Sequence, residues 1–469
     1  MTLSLQFAAW LLCVYYVAVN LIYAILLVQS ILATREHRRL LISLRHDRSL
    51  DAPLSPPISI LVPARNEQAV IVDSVTSLLA LDYPEIEVIV INDGSTDDTL
   101  GELREHFQLL TTDIGYIPAI PTGLVKTVYI SASDRRLVVL DKVTCGRKAD
   151  AVNAGLNIAS SPYVCVIDGD AILERDSLRR IMAPALSDPT HVIASGGIVR
   201  AANGSVIEGG HVKEVRLPRN VLAGLQVLEY LRSFLVGRQG WARLDMLLIV
   251  SGAFGVFRSD FCRAIGGFRA AAIGEDMDLI VRLHRHALNT GGDYRVAFVP
   301  DPVCWTEVPS TLHALASQRA RWQNGLADVL WRNRDMTLNP AFGRIGMVAM
   351  PYQWVFECFA PLIEIFGWLA VIAAAARGAL GGTYFLVIAG GFLLSALLSL
   401  SAVLIEEMVY HRYNRWGDLA RLVGYCFLEP LFYRPLNTIW RVRGLWHYVR
   451  KRNSWELLPR SGFTRPKPS

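Results

Sequence analysis

The chain begins with a long stretch that carries no charged residue, Gln6 to Leu32, and this stretch constrains the fold more than any other feature. About 20 apolar residues are enough to cross the hydrocarbon core of a bilayer as a helix, and this stretch is longer. A cleaved signal peptide has a basic start and a shorter apolar core, and the stretch has neither. We therefore expect a retained transmembrane anchor in residues 1–34.

Three more apolar tracts lie in the last third of the sequence. Ile345–Ala376 is interrupted only by Glu357 and Glu364, and Thr383–Ile405 contains no charge. Leu419–Leu436 is weaker and contains several charged residues, which favours an interfacial or re-entrant element over a span. Together with the N-terminal stretch, the sequence predicts about three transmembrane helices and additional interfacial helices.

Basic residues follow the first and third predicted spans and recur near the end of the chain. The positive-inside rule places such clusters in the cytoplasm, which requires an odd number of spans and an N-terminus on the outer side of the inner membrane. The formal net charge of +5 is then explained by contact with membrane lipid, and no nucleic acid partner is expected. The clusters contain Arg35, Arg38, Arg39, Arg45 and Arg48, then His411, Arg412, Arg415 and Arg421, then Arg434, Arg441, Arg443, Arg450, Lys451 and Arg452.

The amino-acid composition excludes several classes of protein. Of the 469 residues, 52% are apolar and 19% are charged, whereas about a quarter are charged in soluble proteins. Intrinsic disorder, a fibrous repeat and a small disulfide scaffold are excluded. We expect a membrane anchor at 1–34, a basic juxtamembrane linker at 35–57, a cytoplasmic domain at 58–340, transmembrane and interfacial helices at 341–437, and a basic cytoplasmic tail at 438–469.

The expected cytoplasmic domain alternates short apolar runs with segments of helical periodicity. Such alternation is typical of a Rossmann-like sheet that is mostly parallel, with helices as right-handed crossovers. Ligands bind such sheets beyond the carboxyl ends of the strands. The predicted strands are Ile58–Val62, Glu87–Ile91, Arg136–Leu140 and Tyr163–Ile167, and the predicted helices are Glu67–Ala80, Thr96–His106 and Arg147–Ala159.

Acidic side chains follow three of these strands. Glu67 comes after the first strand, Asp93 after the second, and Asp168 and Asp170 after the fourth. A single Asp-Gly after a strand is usually only a turn. Four carboxylates at one edge of a sheet would repel one another, however, and Mg²⁺ or Mn²⁺ would offset that charge, often with substrate phosphates as further ligands.

Other segments carry candidate side chains, each with a purely structural alternative. Lys148 opens a predicted helix and suits a phosphate, although it also fits a surface basic pair. Glu275 and Asp276 open another helix, either as a general base or as complements to the helix dipole. Ser251 and Gly252 belong to a glycine-rich apolar segment that we expect to line a pocket. Gln318, Arg321 and Trp322 precede the membrane tract and suit a diphosphate and a sugar face, or an interfacial anchor.

The order of these segments resembles the membrane-bound family 2 glycosyltransferases, a group that includes cellulose, hyaluronan and poly-N-acetylglucosamine synthases. The resemblance covers roughly residues 58–325. It implies a GT-A-type fold with a mixed, mostly parallel sheet in the cytoplasm. The matching segments are Val62–Glu67 (VPARNE), Ile91–Asp97 (INDGSTD), Lys148–Gly155 (KADAVNAG), Asp168–Asp170 (DGD), Gly274–Asp276 (GED) and Gln318–Trp322 (QRARW).

The resemblance also implies a role for each site residue. Asp168 and Asp170 would form the D-x-D motif that holds the nucleotide diphosphate and Mg²⁺ or Mn²⁺, and Asp276, beside Glu275, would be the general base. The Q-x-x-R-W motif would contact the diphosphate through Gln318 and Arg321 and the acceptor through Trp322. Further donor contacts would come from Pro63, Arg65, Glu67, Asp93 and Lys148, and further acceptor contacts from Ser251 and Gly252.

The activity expected from these roles is that of an inverting hexosyltransferase using a UDP-sugar. One interpretation is a processive β-glycosyltransferase that extends a polysaccharide at the inner membrane face, with a partner subunit for export. A second is a single transfer to a lipid acceptor. A third, suggested by Glu357 and Glu364 within an apolar tract, is a transporter with a nucleotide-binding domain. The sugar, its linkage and any regulation stay open.

Overall fold

The chain folds into two compact units, each assembled from separate segments. The computed structural model describes residues 2–46, 55–112, 118–169, 171–208, 211–378 and 382–451. We call the first the helical unit, whose described residues lie within 2–33, 217–246 and 309–451. We call the second the sheet unit, whose described residues lie within 34–216 and 247–308.

Strands and helices are numbered in chain order. The strands are β1 (Ile58–Ala64), β2 (Ile86–Asp93), β3 (Leu109–Thr112), β4 (Val125–Ser131), β5 (Leu137–Lys142), β6 (Tyr163–Ile167), β7 (Ile172–Leu173), β8 (Val192–Ala201), β9 (Val206–Glu208), β10 (His211–Glu214), β11 (Phe254–Arg258) and β12 (Arg295–Thr306). The α-helices are α1 (Thr2–His46), α2 (Ile71–Leu79), α3 (Thr99–Phe107), α4 (Lys148–Ile158), α5 (Ser177–Ser187), α6 (Val221–Tyr230), α7 (Gln239–Arg243), α8 (Ser259–Ala264), α9 (Glu275–Thr290), α10 (Leu312–Arg332), α11 (Met350–Tyr352), α12 (Ala360–Ala376), α13 (Gly382–Val409), α14 (Trp416–Leu428) and α15 (Arg434–Val449).

A ten-stranded sheet forms the centre of the sheet unit, in the order β3-β4-β5-β2-β1-β6-β11-β8-β12-β7. Its middle strands β5, β2, β1 and β6 pair in parallel. Their central residues are mostly apolar because helices cover both faces of a parallel sheet, and Ile60, Leu61 and Val88 are fully buried. The four strands predicted from the sequence are these middle strands, and each lies within two residues of its predicted bounds at either end.

The sheet is mixed, as expected, and antiparallel pairings flank its parallel centre. Among the strands that the structure describes in this sheet, four pairings are parallel and five are antiparallel. The physical reason is the length of the connections. A short turn joins β4 to β5, which permits only an antiparallel pair because a parallel pair needs a crossover of a dozen or more residues.

Among the described residues, two helices are long and apolar enough to cross a membrane, Leu12–Ser43 and Ala389–Val409. A third candidate is the pair Ile345–Cys358 and Ala360–Ala376, which is bent by 45° and counts as a span only if the two helices act together. These elements coincide with the three tracts predicted as spans. Helix α14 has 13 residues and is too short to cross. The number of crossings and their orientation stay predictions.

Glycine at position 155 allows α4 to pack closely on the parallel strands. A β-carbon at Gly155 would lie 2.9 Å from Ile91 Cδ1 and 3.1 Å from Leu61 Cδ2. Both strand residues are fully buried, so neither side chain has free space to retreat into. The position of α4, and of the residues at its N-terminus, therefore depends on this close approach.

We expect Gly155→Val to lower the free energy of unfolding by about 1–3 kcal/mol, because overpacking pushes α4 away from β1 and β2. The melting temperature of the purified protein measures the change. Gly292→Val is the matched control, since no atom lies within 4 Å of a β-carbon there. Equal melting temperatures for the two variants would contradict this account of the packing.

Candidate active site

The carboxyl ends of three neighbouring strands form one edge of the sheet, as predicted. Parallel pairing brings Ala64 of β1 opposite Asn92 of β2, and β6 runs parallel on the other side of β1. Strand β11 is antiparallel to β6, with Phe254 opposite Ile167. The segment just before β11, which includes Ser251 and Gly252, therefore lies at this same edge.

The side chain of Lys148 connects two segments at this edge. Its Nζ forms an ion pair with Asp168 Oδ1, just after β6, and donates a hydrogen bond to the carbonyl oxygen of Gly252 at 2.8 Å. Lys148 is the first residue of α4, so the ammonium and the N-terminus of the helix are close together. Both features favour an anion at this point.

The peptide of Gly252 also contacts the predicted base. Its N–H donates to Asp276 Oδ2 at 3.3 Å, while the N–H of Met277 donates to Asp276 Oδ1 at 2.8 Å. Asp276 is the second residue of α9, which begins at Glu275. The backbone of one residue, Gly252, thus joins the Lys148–Asp168 pair to the carboxylate of Asp276. The N–H groups of Gly252 and Met277 fix the orientation of that carboxylate.

Burial and neighbouring charges shift the pKa values of Glu275 and Lys148. Burial and the neighbouring Asp276 raise the pKa of Glu275 from 4.5 to about 7, although Lys148 acts in the opposite direction. Burial alone would lower the pKa of Lys148, but Asp168, Glu275 and Asp276 raise it overall. The site therefore keeps a cation among carboxylates at neutral pH.

The loop after β1 lies against the D-x-D segment. A β-carbon at Gly169 would be in ordinary van der Waals contact with this loop, 3.5 Å from the Pro63 carbonyl oxygen and 3.9 Å from Glu67 Oε1. Arg65, in the same loop, is exposed. Asn66 ties this loop to the one after β2, since its Oδ1 accepts a hydrogen bond from the Thr96 N–H at 2.8 Å.

Asp93 belongs to an ion cluster that the sequence reasoning missed. Lys142 Nζ lies 2.7 Å from Asp93 Oδ1 and 2.6 Å from Asp150 Oδ2, and the side chain of Lys142 is fully buried. The Thr144 hydroxyl donates to Asp93 Oδ2 at 3.0 Å. The only sequence signal was a lysine at the carboxyl end of an apolar strand, beside a strand that ends in Asp93.

The structure describes only one of the two carboxylates that the D-x-D motif would offer to Mg²⁺ or Mn²⁺. Asp168 offers carboxylate oxygens at a strand end and its side chain is 34% exposed, which suits a hard cation that shares its ligands with a substrate diphosphate. Asp170, the second predicted ligand, lies outside the described residues. Among the described residues, no group of three or more His, Cys, Asp or Glu side chains is arranged to hold a metal.

The Q-x-x-R-W segment lies on α10 of the helical unit. Trp322 is 45% exposed, Arg321 is exposed and Gln318 is half-buried. Arg319, which the sequence reasoning did not select, is buried: its NH2 donates to Glu229 Oε2 at 2.6 Å, and its guanidinium lies 4.3 Å from the centre of the Trp322 ring. The roles predicted for Gln318, Arg321 and Trp322 stay predictions.

The raised pKa of Glu275 predicts a dependence of stability on pH. The folded protein binds more protons than the unfolded chain between about pH 4.5 and 7, so this group lowers stability as pH rises through that range. We expect Glu275→Gln to become more stable than the unmodified protein, by on the order of 1–2 kcal/mol, as pH rises from 5 to 8.

Melting temperatures of the two proteins across this pH range test the expectation. Glu105→Gln, at an exposed position on α3, is the matched control. Parallel curves for Glu275→Gln and the unmodified protein would contradict a raised pKa at Glu275.

Two curated proteins are similar in sequence to a little more than half of this chain. The chain is 25% identical over 276 residues to the poly-β-1,6-N-acetyl-D-glucosamine synthase of Staphylococcus epidermidis, which covers 59% of this chain and 56% of that protein. The protein of the same name from Staphylococcus aureus is 26% identical over 283 residues, covering 60% of this chain and 57% of that protein. The chain thus matches little more than half the length of these curated relatives.

Solved structures of two glycosyltransferases are less similar in sequence to this chain than the two synthases are. A mannosyltransferase from Pyrobaculum calidifontis, solved with GDP-mannose and Mn²⁺, has a TM-score of 0.48 at 22% identity, covering 87% of this chain and 99% of its own. Glucosyl-3-phosphoglycerate synthase from Mycobacterium tuberculosis has a TM-score of 0.36 at 19% identity, covering 61% of this chain and 81% of its own.

The family assignment rests on the match between this sequence and the sequence pattern shared by one protein family. The family described as "Glycosyltransferase like family 2" matches residues 56–325, which is more than half of the chain and includes every candidate site residue. The chain therefore belongs to glycosyltransferase family 2 and is a glycosyltransferase.

Proposed function

We propose that this glycosyltransferase moves a sugar from a UDP-sugar to a hydroxyl acceptor with inversion at the anomeric carbon. The observation that supports it most is the backbone of Gly252, whose carbonyl oxygen accepts a hydrogen bond from Lys148 and whose N–H donates one to Asp276. A cation for the leaving diphosphate and a carboxylate for the attacking hydroxyl thus contact the same residue.

The leaving group is bound at the end of the site that carries Lys148. As the bond from the anomeric carbon to the diphosphate oxygen breaks, negative charge develops on the diphosphate, and the Lys148 ammonium and the N-terminus of α4 stabilise it. Mg²⁺ or Mn²⁺, held by Asp168 and, on the sequence, Asp170, would supply further positive charge to the diphosphate.

Asp276 is the general base of the proposed reaction. The acceptor oxygen forms its bond to the anomeric carbon while its proton passes to the Asp276 carboxylate, a step that contributes about 10²–10⁴-fold to the rate. The backbone amides of Gly252 and Met277 hold that carboxylate in place without a proton transfer of their own. A single displacement of this kind turns an α-linked donor into a β-linked product.

The acceptor is proposed to be a growing polysaccharide. The relatives that match the catalytic region carry the name poly-β-1,6-N-acetyl-D-glucosamine synthase, so UDP-N-acetylglucosamine is the first donor to test. The proposed location is the inner membrane, with several crossings, an outer N-terminus and a cytoplasmic catalytic domain, and export would involve a partner subunit. A single transfer to a lipid is the second candidate, and the size of the product separates the two.

The transporter interpretation loses support from the surroundings of its two acidic residues. Glu357 Oε2 lies 3.3 Å from the NH2 of Arg441, and Glu364 accepts a hydrogen bond from the Thr438 hydroxyl. Both glutamates thus have partners on α15 that account for their presence in an apolar tract.

Release of UDP tests the proposed function. Purified full-length protein in detergent is incubated with UDP-N-acetylglucosamine, UDP-glucose or GDP-mannose, with Mg²⁺, with Mn²⁺ or with a chelator. We expect metal-dependent UDP release with one UDP-sugar and a β-linked polymer as product. A protein that releases no nucleotide from any donor would contradict the proposal.

We expect Asp276→Asn to reduce sugar transfer by about 10²-fold or more while UDP still binds, because the amide cannot accept the acceptor's proton. Transfer rates and the dissociation constant of UDP measure the two effects separately. Asp293→Asn, an exposed residue of the sheet unit, is the matched control and should keep full activity. Loss of UDP binding in a folded Asp276→Asn protein would contradict the role of a base.

A further inference from the structure

Lys142 occupies a position where a lysine is costly unless carboxylates compensate for its charge. It is the last residue of β5 and its side chain is fully buried. Its Nζ donates to Asp93 Oδ1 at 2.7 Å and to the Val143 carbonyl oxygen at 2.8 Å, and it forms an ion pair with Asp150 Oδ2 at 2.6 Å. An ammonium in such surroundings fixes its partners firmly, because losing either one leaves a buried charge unpaired.

The two carboxylates belong to different elements of the sheet unit. Asp93 is the last residue of β2, at the edge where the ligand site lies. Asp150 is in the first turn of α4, two residues after Lys148, and its Oδ1 also accepts the Gly123 N–H at 2.9 Å. Lys142 therefore links the end of β2 directly to the start of the helix that carries Lys148.

The orientation of the Asp93 carboxylate is set by two donors, one for each oxygen. Lys142 contacts Oδ1 and the Thr144 hydroxyl contacts Oδ2 at 3.0 Å. A carboxylate has about four lone-pair sites, so both oxygens keep an acceptor site with a defined direction. The Asp93 side chain is 7% exposed at the end of β2, and a ligand that reaches it there would find an acceptor that need not leave its partners.

We propose that Lys142 is a positioning residue that orients Asp93 to recognise an N–H group of the donor's nucleobase and, through Asp150, ties this recognition to the helix that carries Lys148. This inference rests on the proposed function, because it needs a nucleoside diphosphate as leaving group. Uracil presents an N–H at N3, whereas cytosine presents an acceptor there, so an oriented carboxylate favours the first and repels the second.

Binding of UDP and CDP tests the proposal. Dissociation constants are measured by calorimetry on the full-length protein in detergent with Mn²⁺. The unmodified protein should prefer UDP by about tenfold or more, and in Lys142→Met this preference should fall by about tenfold. Lys126→Met is the matched control, a half-exposed lysine of the same sheet paired with Asp141 at 3.6 Å, and should keep the original preference.

A second background separates positioning from a general loss of structure. If Lys142 acts through Asp93, Lys142→Met should cause no further loss of preference in a protein that already carries Asp93→Asn. The melting temperature and the binding of inorganic pyrophosphate show that each variant is folded. A further loss of about tenfold in the Asp93→Asn background would overturn the proposal.

The other possible results of these binding experiments also test the proposed role of Lys142. A folded Lys142→Met protein with the original preference overturns the proposal, and so does an unmodified protein that binds UDP and CDP equally. If Lys142→Met does not fold, Thr144→Val removes the other donor to Asp93 and should lower the preference severalfold, so an unchanged preference overturns it. An unmodified protein that binds no nucleoside diphosphate contradicts the proposed function instead.

Discussion

The contact between the Lys148 ammonium, Asp168 and the carbonyl of Gly252 is the interaction on which the candidate active site depends. It brings together the end of β6, the start of α4 and the segment before β11, and through the backbone of Gly252 it reaches Asp276. These segments are far apart along the chain, and the pairing of β6 with β11 and the contacts of Lys148 together fix the distances between them. The proposed chemistry needs those fixed distances, because the leaving group and the base must act on the same sugar.

Buried charges with complete sets of partners recur in both units. Lys142 lies between Asp93 and Asp150 in the sheet unit, while in the helical unit the fully buried Glu429 accepts hydrogen bonds from Arg232 at 2.6 and 2.7 Å. Such clusters add little to stability compared with apolar packing, but breaking one leaves an uncompensated charge. Their value is that they specify a single arrangement, which a site that binds a charged donor requires.

Local sequence patterns were sufficient for the parallel centre of the sheet and for its ligand-binding edge. Continuous apolar runs separated by helical segments predicted β1, β2, β5 and β6, and the polar residues after them predicted where Asp168 lies. Strands β3 and β4 were not predicted, because their alternating exposure gives a weaker signal than a fully buried run. Lys142 and Arg319 were missed because a single basic residue in a strand or helix looks the same whether it is solvated or buried.

The sequence by itself determined the family, the order of the segments and the edge of the sheet at which the candidate active site lies, since all three follow from residues that are close together along the chain. Tertiary structure alone decided which strands flank the parallel centre of the sheet and that Lys148 contacts Gly252, 104 residues further along the chain. The hydrophobic periodicity of a sequence indicates single helices and strands. A contact between residues 104 positions apart depends instead on how distant elements pack. The partners of each charged group could therefore be known only from the folded chain.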